Sequence, residues 1–320
     1  MKEPSCVALT GLDTFLGRRL LERLSSSGLR VLALTRSGAR LEASAATRAG
    51  TTVMKYEDGG ALASLLSEES VDTFVHLGLR EVPTRNRDAD RDQEVGETQE
   101  VLDACRTAAI SRFVIPSSTM CYGPRVENPF QLREEAQLHG HPAAHWVKNR
   151  LEIEAAVARF RALVPACDVS VLRHCWVMGP SYIDSFVRYF ESDFVPTVLG
   201  YDPLLQFVHE EDLLSVFEAV IHEPHDGTFN VVGSGVLPVS GYLRLAGKTG
   251  LPLPRPLRAS GRRSPVPLAA GDDADGFYDY LKYQWVASGE RAERELGPRL
   301  YTSQEAWLAM VSSRRDTHYR

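Results

Sequence analysis

Along the first half of the chain, apolar and β-branched residues fall in short unbroken runs, separated by stretches in which apolar positions recur every three or four residues. Such runs read as strands buried on both faces, and the stretches between them as amphipathic helices. Strands are predicted over Ser5 to Thr10, Leu29 to Thr35, Thr51 to Tyr56, Val71 to Leu77, Arg112 to Ser117 and Asp168 to Trp176. Helices are predicted over Phe15 to Ser25 and Ala144 to Ala162, with helical patterns between most of the other strands. Alternation of this kind builds βαβ crossovers and a parallel sheet, so the expected fold is a doubly wound α/β Rossmann sheet. After Gly179-Pro180 prolines multiply and the pattern loosens, which predicts an irregular, lid-like region. The stretch from Gly250 to Gly276, rich in Pro, Arg, Gly and Asp, reads as an exposed connection, and helical patterns return at Glu290 to Leu296 and Gln304 to Val311. The expected division is a dinucleotide-binding domain over 1–180, to which 205–235 return, and a smaller, discontinuous substrate-binding region made of 181–204 and 236–320.

Composition narrows the class. The 320 residues are 43 % hydrophobic and 24 % charged, ordinary values for a globular protein with a sizeable core. A net charge of -6 supplies no basic footprint for a phosphate backbone, so nucleic acid is excluded as an expected partner. No run approaches the roughly 18 apolar residues of a membrane span, and the N-terminus has no signal-peptide pattern. A cytoplasmic protein is expected, away from membranes. Cys6, Cys105, Cys121, Cys167 and Cys175 are odd in number and lack a CxxC spacing, so reduced, buried thiols are expected.

Chemistry first appears in the turn after the first strand, Thr10-Gly11-Leu12-Asp13-Thr14-Phe15-Leu16-Gly17. Between a buried strand and a helix, such glycines allow a tight turn and let a pyrophosphate approach backbone N–H groups at the helix N-terminus. Gly11, Thr14, Phe15, Leu16 and Gly17 are therefore expected to touch a dinucleotide. At the tip of the second strand a carboxylate suits the ribose hydroxyls of NAD and an arginine suits a 2'-phosphate. Arg36 and Ser37, with Arg40 nearby, lean towards NADP(H), with NAD(H) as the alternative. Glu57, Asp58, Leu77 and Gly78, just past the third and fourth strands, join the expected cofactor-binding set.

Several ordered motifs carry a family resemblance. They are the TGxxxFLG turn, Val71 to Leu77 (VDTFVHL), Ser117 to Gly123 (SSTMCYG), Leu172-Arg173 to Gly179-Pro180, Gln206 to Asp212 (QFVHEED) and Thr228 to Val231 (TFNV). With these the chain resembles the extended short-chain dehydrogenase/reductases, grouped with NAD-dependent epimerases and dehydratases. The resemblance implies a catalytic serine at Ser118, a cofactor site that takes in His174, Cys175 and Trp176, and a homodimer through the helices after the fourth and fifth strands.

The departures bear on the chemistry. Where the family has the tyrosine and lysine of YxxxK, this chain has Trp146 and Arg150, and the supporting asparagine aligns with Glu94. An indole N–H donates a hydrogen bond but does not ionise at accessible pH, and arginine is too basic to serve as a proton donor. A Glu94–Arg150 pair is the expected replacement for the family's asparagine and lysine. The family's middle glycine is Thr14, which makes backbone and pyrophosphate approach harder, although its hydroxyl offers a donor to phosphate. Tyr122 is the one phenol in the motif region and so a candidate catalytic group. The histidines 139, 141 and 145 lack an acidic partner, and no metal is expected.

Three readings follow. The first is an NADPH-dependent reductase of a small-molecule carbonyl with a non-standard proton donor. The second is a sugar-nucleotide epimerase or dehydratase, whose chemistry takes a proton from a substrate hydroxyl and loses most without tyrosine. The third is a non-catalytic nucleotide-binding member. The first is preferred.

Overall fold

A computed structural model describes residues 4–36, 50–79, 86–254 and 273–318. The chain enters on β1 (Cys6–Thr10), α1 (Phe15–Ser26), β2 (Arg30–Arg36), β3 (Thr51–Tyr56), α2 (Gly59–Glu68) and β4 (Thr73–His76). It continues through α3 (Arg87–Arg91), α4 (Glu97–Thr107), β5 (Arg112–Ser118), α5 (His145–Leu163), β6 (Asp168–His174) and β7 (Trp176–Met178). Next come α6 (Ser185–Glu191), β8 (Phe194–Val198), β9 (Leu204–Leu205), β10 (Phe207–His209), α7 (Glu210–His222) and β11 (Gly227–Val231). The chain ends on β12 (Leu237–Pro238), α8 (Val239–Leu245), β13 (Thr249–Leu253), α9 (Asp273–Tyr280), α10 (Glu290–Leu296) and α11 (Ser303–His318).

Seven strands form the main sheet in the order β11-β6-β5-β4-β1-β2-β3. Every pairing in it is parallel. The chain first works outward from β1 to β3 and then returns to β4 on the other side of β1, so a crevice opens where the direction reverses. Each face carries an apolar layer. Leu9, Leu20, Leu24 and Val31 belong to one, Leu32, Leu66, Phe74 and Phe113 to the other, all nearly or fully buried. The five cysteines are buried and unpaired.

Two expectations need correction. The single strand expected over Asp168 to Trp176 breaks at Cys175: β6 stays in the main sheet, while β7 leaves it to pair with β10. At the break His174 Nδ1 donates to the Cys175 carbonyl at 2.8 Å. Nor is the chain after Pro180 as irregular as its prolines suggest. It carries α6, α8 and two two-stranded pairs, β9 with β12 and β8 with β13, with prolines sitting in edge strands and turns. The expected exposed connection over Gly250 to Gly276 lies largely outside the described residues.

Candidate functional site

A cleft of about 670 Å³, open solvent at its mouth included, lies at the carboxyl ends of β1, β4, β5 and β6. Its floor is the turn after β1. Gly11 has φ +75°, and a Cβ there would come within 2.2 Å of the Leu77 carbonyl carbon; a Cβ on Gly17 would lie 2.0 Å from the Gly11 oxygen. No side chain fits either place, which is why this stretch of sequence folds into a compact strand-to-helix turn. Thr14 caps α1: its hydroxyl donates to the Gly11 carbonyl at 2.8 Å and accepts from the Gly17 amide at 3.0 Å. The expectation that this hydroxyl donates to a phosphate is therefore not met, because its proton is used within the turn. Phe15, the first residue of α1, meets Tyr182 edge-to-face at 5.0 Å.

The wall opposite carries the polar groups. Ser118 ends β5, and its Oγ accepts from the Met120 amide at 3.2 Å. Arg150, one turn along α5 from Trp146, pairs with Glu94 at 3.2 Å, and Asn149 Nδ2 donates to the other Glu94 oxygen at 2.8 Å. Glu94 is only 2 % exposed, so it is no solvated member of a charged run. A π-turn over Asp92–Gly96, inserted between α3 and α4, aims it inward.

His174 donates from Nδ1 to the Cys175 carbonyl, so in its neutral form Nε2 is an acceptor. Burial, with a smaller contribution from the Arg150 charge, pushes its pKa down to about 4. His76, at the end of β4, is lowered to about 3, again by burial first and Arg150 second. Its Nδ1 lies 2.8 Å from Thr10 Oγ1 and its Nε2 3.1 Å from Thr98 Oγ1. Thr98 spends its own proton on the Glu94 carbonyl at 2.6 Å, so His76 donates from Nε2 and accepts from Thr10. One chain of hydrogen bonds thus joins β1, β4 and the π-turn that carries Glu94.

The remaining expected residues divide. Thr14, Leu16, Leu77, Ser118, Trp146, Arg150, His174, Cys175 and Trp176 all line the cavity. Gly78 stands at the end of β4 with His76 Cε1 3.2 Å from where its Cβ would be. Tyr122 does not line the cavity, and the expectation of a catalytic phenol is not met by its position. It is fully buried, donates to Asn230 Oδ1 at 2.7 Å, accepts from Arg173 at 3.0 Å, and burial pushes its pKa up to about 12. Glu57 and Asp58 are exposed beside α2, where Asp58 caps the helix by accepting from Ala61 N at 2.8 Å. Arg36 stands at the tip of β2, ion-paired with Glu100 and 5.8 Å above the Tyr56 ring. Ser37 and Arg40 lie outside the described residues. His141, expected to lack an acidic partner, has one from far along the chain, Asp279 at 3.0 Å, and no His, Cys, Asp and Glu cluster among the described residues could hold a metal ion. No described helix is long and apolar enough to cross a membrane.

Sequence reasoning missed Asn149, Met120, Tyr182, Asp184 and Phe186. The last three follow Gly179-Pro180, where no motif marks them.

Sheet order, crevice and turn define a doubly wound α/β protein with dinucleotide-binding architecture. The profile of the NAD dependent epimerase/dehydratase family matches residues 7–232, and the chain belongs to that family. An uncharacterized protein of Mycobacterium tuberculosis is 28 % identical over 256 residues, 78 % of this chain and 68 % of that one. Among solved structures, UDP-glucose 4-epimerase from Thermotoga maritima with UDP-glucose has a TM-score of 0.73 at 16 % identity, covering 98 % of this chain and 99 % of that one. The Bordetella bronchiseptica enzyme WbmG with NAD has a TM-score of 0.72 at 16 % identity, over 98 % and 95 % of the two chains. At such identities the likeness is one of fold.

Proposed function

We propose that this chain is a nicotinamide-dinucleotide-dependent reductase of a small-molecule carbonyl compound that prefers NADP(H) and works without a tyrosine proton donor. The observation that carries the reading is the grouping of Ser118, Arg150 and His174 in one cavity at the switch point of the sheet, with Arg150 fixed from behind by Glu94. The residues present fit a dinucleotide: the Gly11–Gly17 turn is compact, and the first amides of α1 have no carbonyl one turn back within the helix. The NAD-bound relative of the same fold supports a nicotinamide coenzyme.

When bound, that coenzyme supplies the hydride. The chain does the rest. Arg150 carries a fixed positive charge and donor groups at the site where oxyanion character develops. Ser118, whose Oγ already accepts from Met120, turns its proton towards an acceptor in the cavity and polarises the carbonyl oxygen. His174 Nε2 accepts from an N–H or O–H and fixes its orientation. Trp146 packs and donates but exchanges no proton, so the proton arrives from water across Ser118.

Sugar-nucleotide epimerisation is the second reading, favoured by the UDP-glucose relative. It needs a base for a substrate hydroxyl, and Trp146 stands where one is required. Titration with NADPH and NADH tests both readings: micromolar NADPH binding, tighter than NADH, is expected, and binding of neither overturns both. Trp146→Phe is expected to keep most of the carbonyl-reductase turnover. Total loss would overturn the assignment of Trp146 as a packing residue.

A further inference from the structure

The substrate side of the cavity is walled by aromatic rings. Trp146, Trp176 and Phe186 line it together with Met120 and Tyr182. Trp176 and Phe186 stack at 4.6 Å with their planes 25° apart, and Trp146 meets Phe186 at 5.8 Å and 61°. This wall is backed so that it cannot collapse. Trp176 packs on Phe277 at 5.9 Å and Trp285 at 5.1 Å, and its indole N–H points to Met120 Sδ at 3.1 Å. Trp146, in contrast, is only partly buried and offers its ring to the cavity.

Charge is scarce on this wall. Among the described lining residues two side chains are charged, Arg150 and Asp184, and both are engaged within the protein. Arg150 is paired with Glu94, and Asp184, 6 % exposed, accepts from the Val187 amide at 2.8 Å as the cap of α6. A substrate diphosphate laid against the ring wall, away from the N-terminus of α1, would meet the buried Asp184 carboxylate, and Arg150, the one cation there, is held by Glu94. A planar ring would meet ring faces and edges at the separations aromatic pairs prefer.

From these walls we infer the substrate class: an uncharged planar ring compound bearing the reducible carbonyl, lying in the cavity against the wall that Trp146, Phe186 and Trp176 form together, with its oxygen towards Ser118. Trp146 and Phe186 are then the specificity-determining residues. This inference rests on the carbonyl-reductase reading and names its substrate.

The test compares 2-acetonaphthone, 1-naphthyl phosphate and UDP-glucose by calorimetric titration into the intact chain, with and without NADPH. The first two share a ring system and differ in charge. The ketone is expected to bind at least ten-fold more tightly than either phosphate compound. Trp146→Ala and Phe186→Ala are each expected to weaken the ketone about ten-fold. Asp184→Asn is expected to narrow the gap between ketone and naphthyl phosphate. Equal or tighter binding of naphthyl phosphate or UDP-glucose, or no ketone binding, overturns the inference, and the wild-type comparison stands even if a variant fails to fold. A separate NADPH titration decides the reading beneath it, so the two failures are told apart.

Discussion

Removing the Glu94 carboxylate should be among the most damaging single changes in this fold outside the sheet itself. That carboxylate accepts from Arg150 at 3.2 Å and Asn149 at 2.8 Å, and the two ion-paired side chains are 12 % and 3 % exposed. Losing one member of a buried pair costs about 3–5 kcal/mol, because the surviving charge keeps its desolvation penalty without the attraction that offset it. Glu94→Ala is expected to fall in that range. Glu94→Gln keeps the shape and an oxygen for Asn149, and its cost should be about 1.5–3 kcal/mol, the worth of a hydrogen bond to a charged group. The double variant Glu94→Met/Arg150→Met removes both charges and should lie well below the sum of the single changes. Urea denaturation with a shared slope measures all of these. A loss below about 1 kcal/mol for Glu94→Ala, or strict additivity in the double variant, would refute the idea that the pair is a coupled buried unit.

Three further outcomes are expected. His76 and His174 have pKa values pushed down to about 3 and about 4, so between those values and their ordinary 6.5 the unfolded chain takes up protons that the folded chain does not. Stability is then fully present above about pH 6.5 and falls as the pH drops, by up to about 1.4 kcal/mol per pH unit for each histidine, levelling off below each folded-state value. Denaturation midpoints from pH 7.5 to 4 check the slope, and a His174→Gln variant with an unchanged profile would count against it. Thr14→Gly removes a cap at a cost of a few tenths of a kcal/mol and opens the helix N-terminus, so dinucleotide affinity should rise; a fall in fluorescence titration would contradict this. Glu100→Gln releases Arg36 from its partner, and the NADPH-to-NADH affinity ratio should rise about two- to five-fold, the usual worth of an exposed ion pair of up to about 1 kcal/mol; a falling ratio would speak against Arg36 as the 2'-phosphate contact.

The main sheet was largely legible because a strand buried on both faces must be almost wholly apolar, as Val31 to Leu34 and Phe113 to Ile115 are. The turn at Gly11 was legible because a positive φ leaves few choices of residue. Tyr122 was misjudged for a rotational reason. The short helical turn over Thr119–Tyr122 swings its ring away from Ser118 towards Arg173 and Asn230, and no periodicity reports a swing of that kind. Glu94 sat in a charged stretch that reads equally well as a solvated face, and only the widened turn decides which way it points. Asp184 and Phe186 belong to a helix of seven residues and its cap, too short for a helical period to stand out.

That widened turn at Asp92–Gly96 is in effect a single-residue insertion in an otherwise continuous helix. Deleting one residue from it would rewind α3, the turn and α4 into one regular helix and rotate α3 and the first residues of the turn by about 100° relative to α4. Glu94 would leave Arg150, while Thr98 and the rest of α4 kept their places. A length change of one residue would therefore uncouple the two walls of the crevice without altering any side chain that lines it.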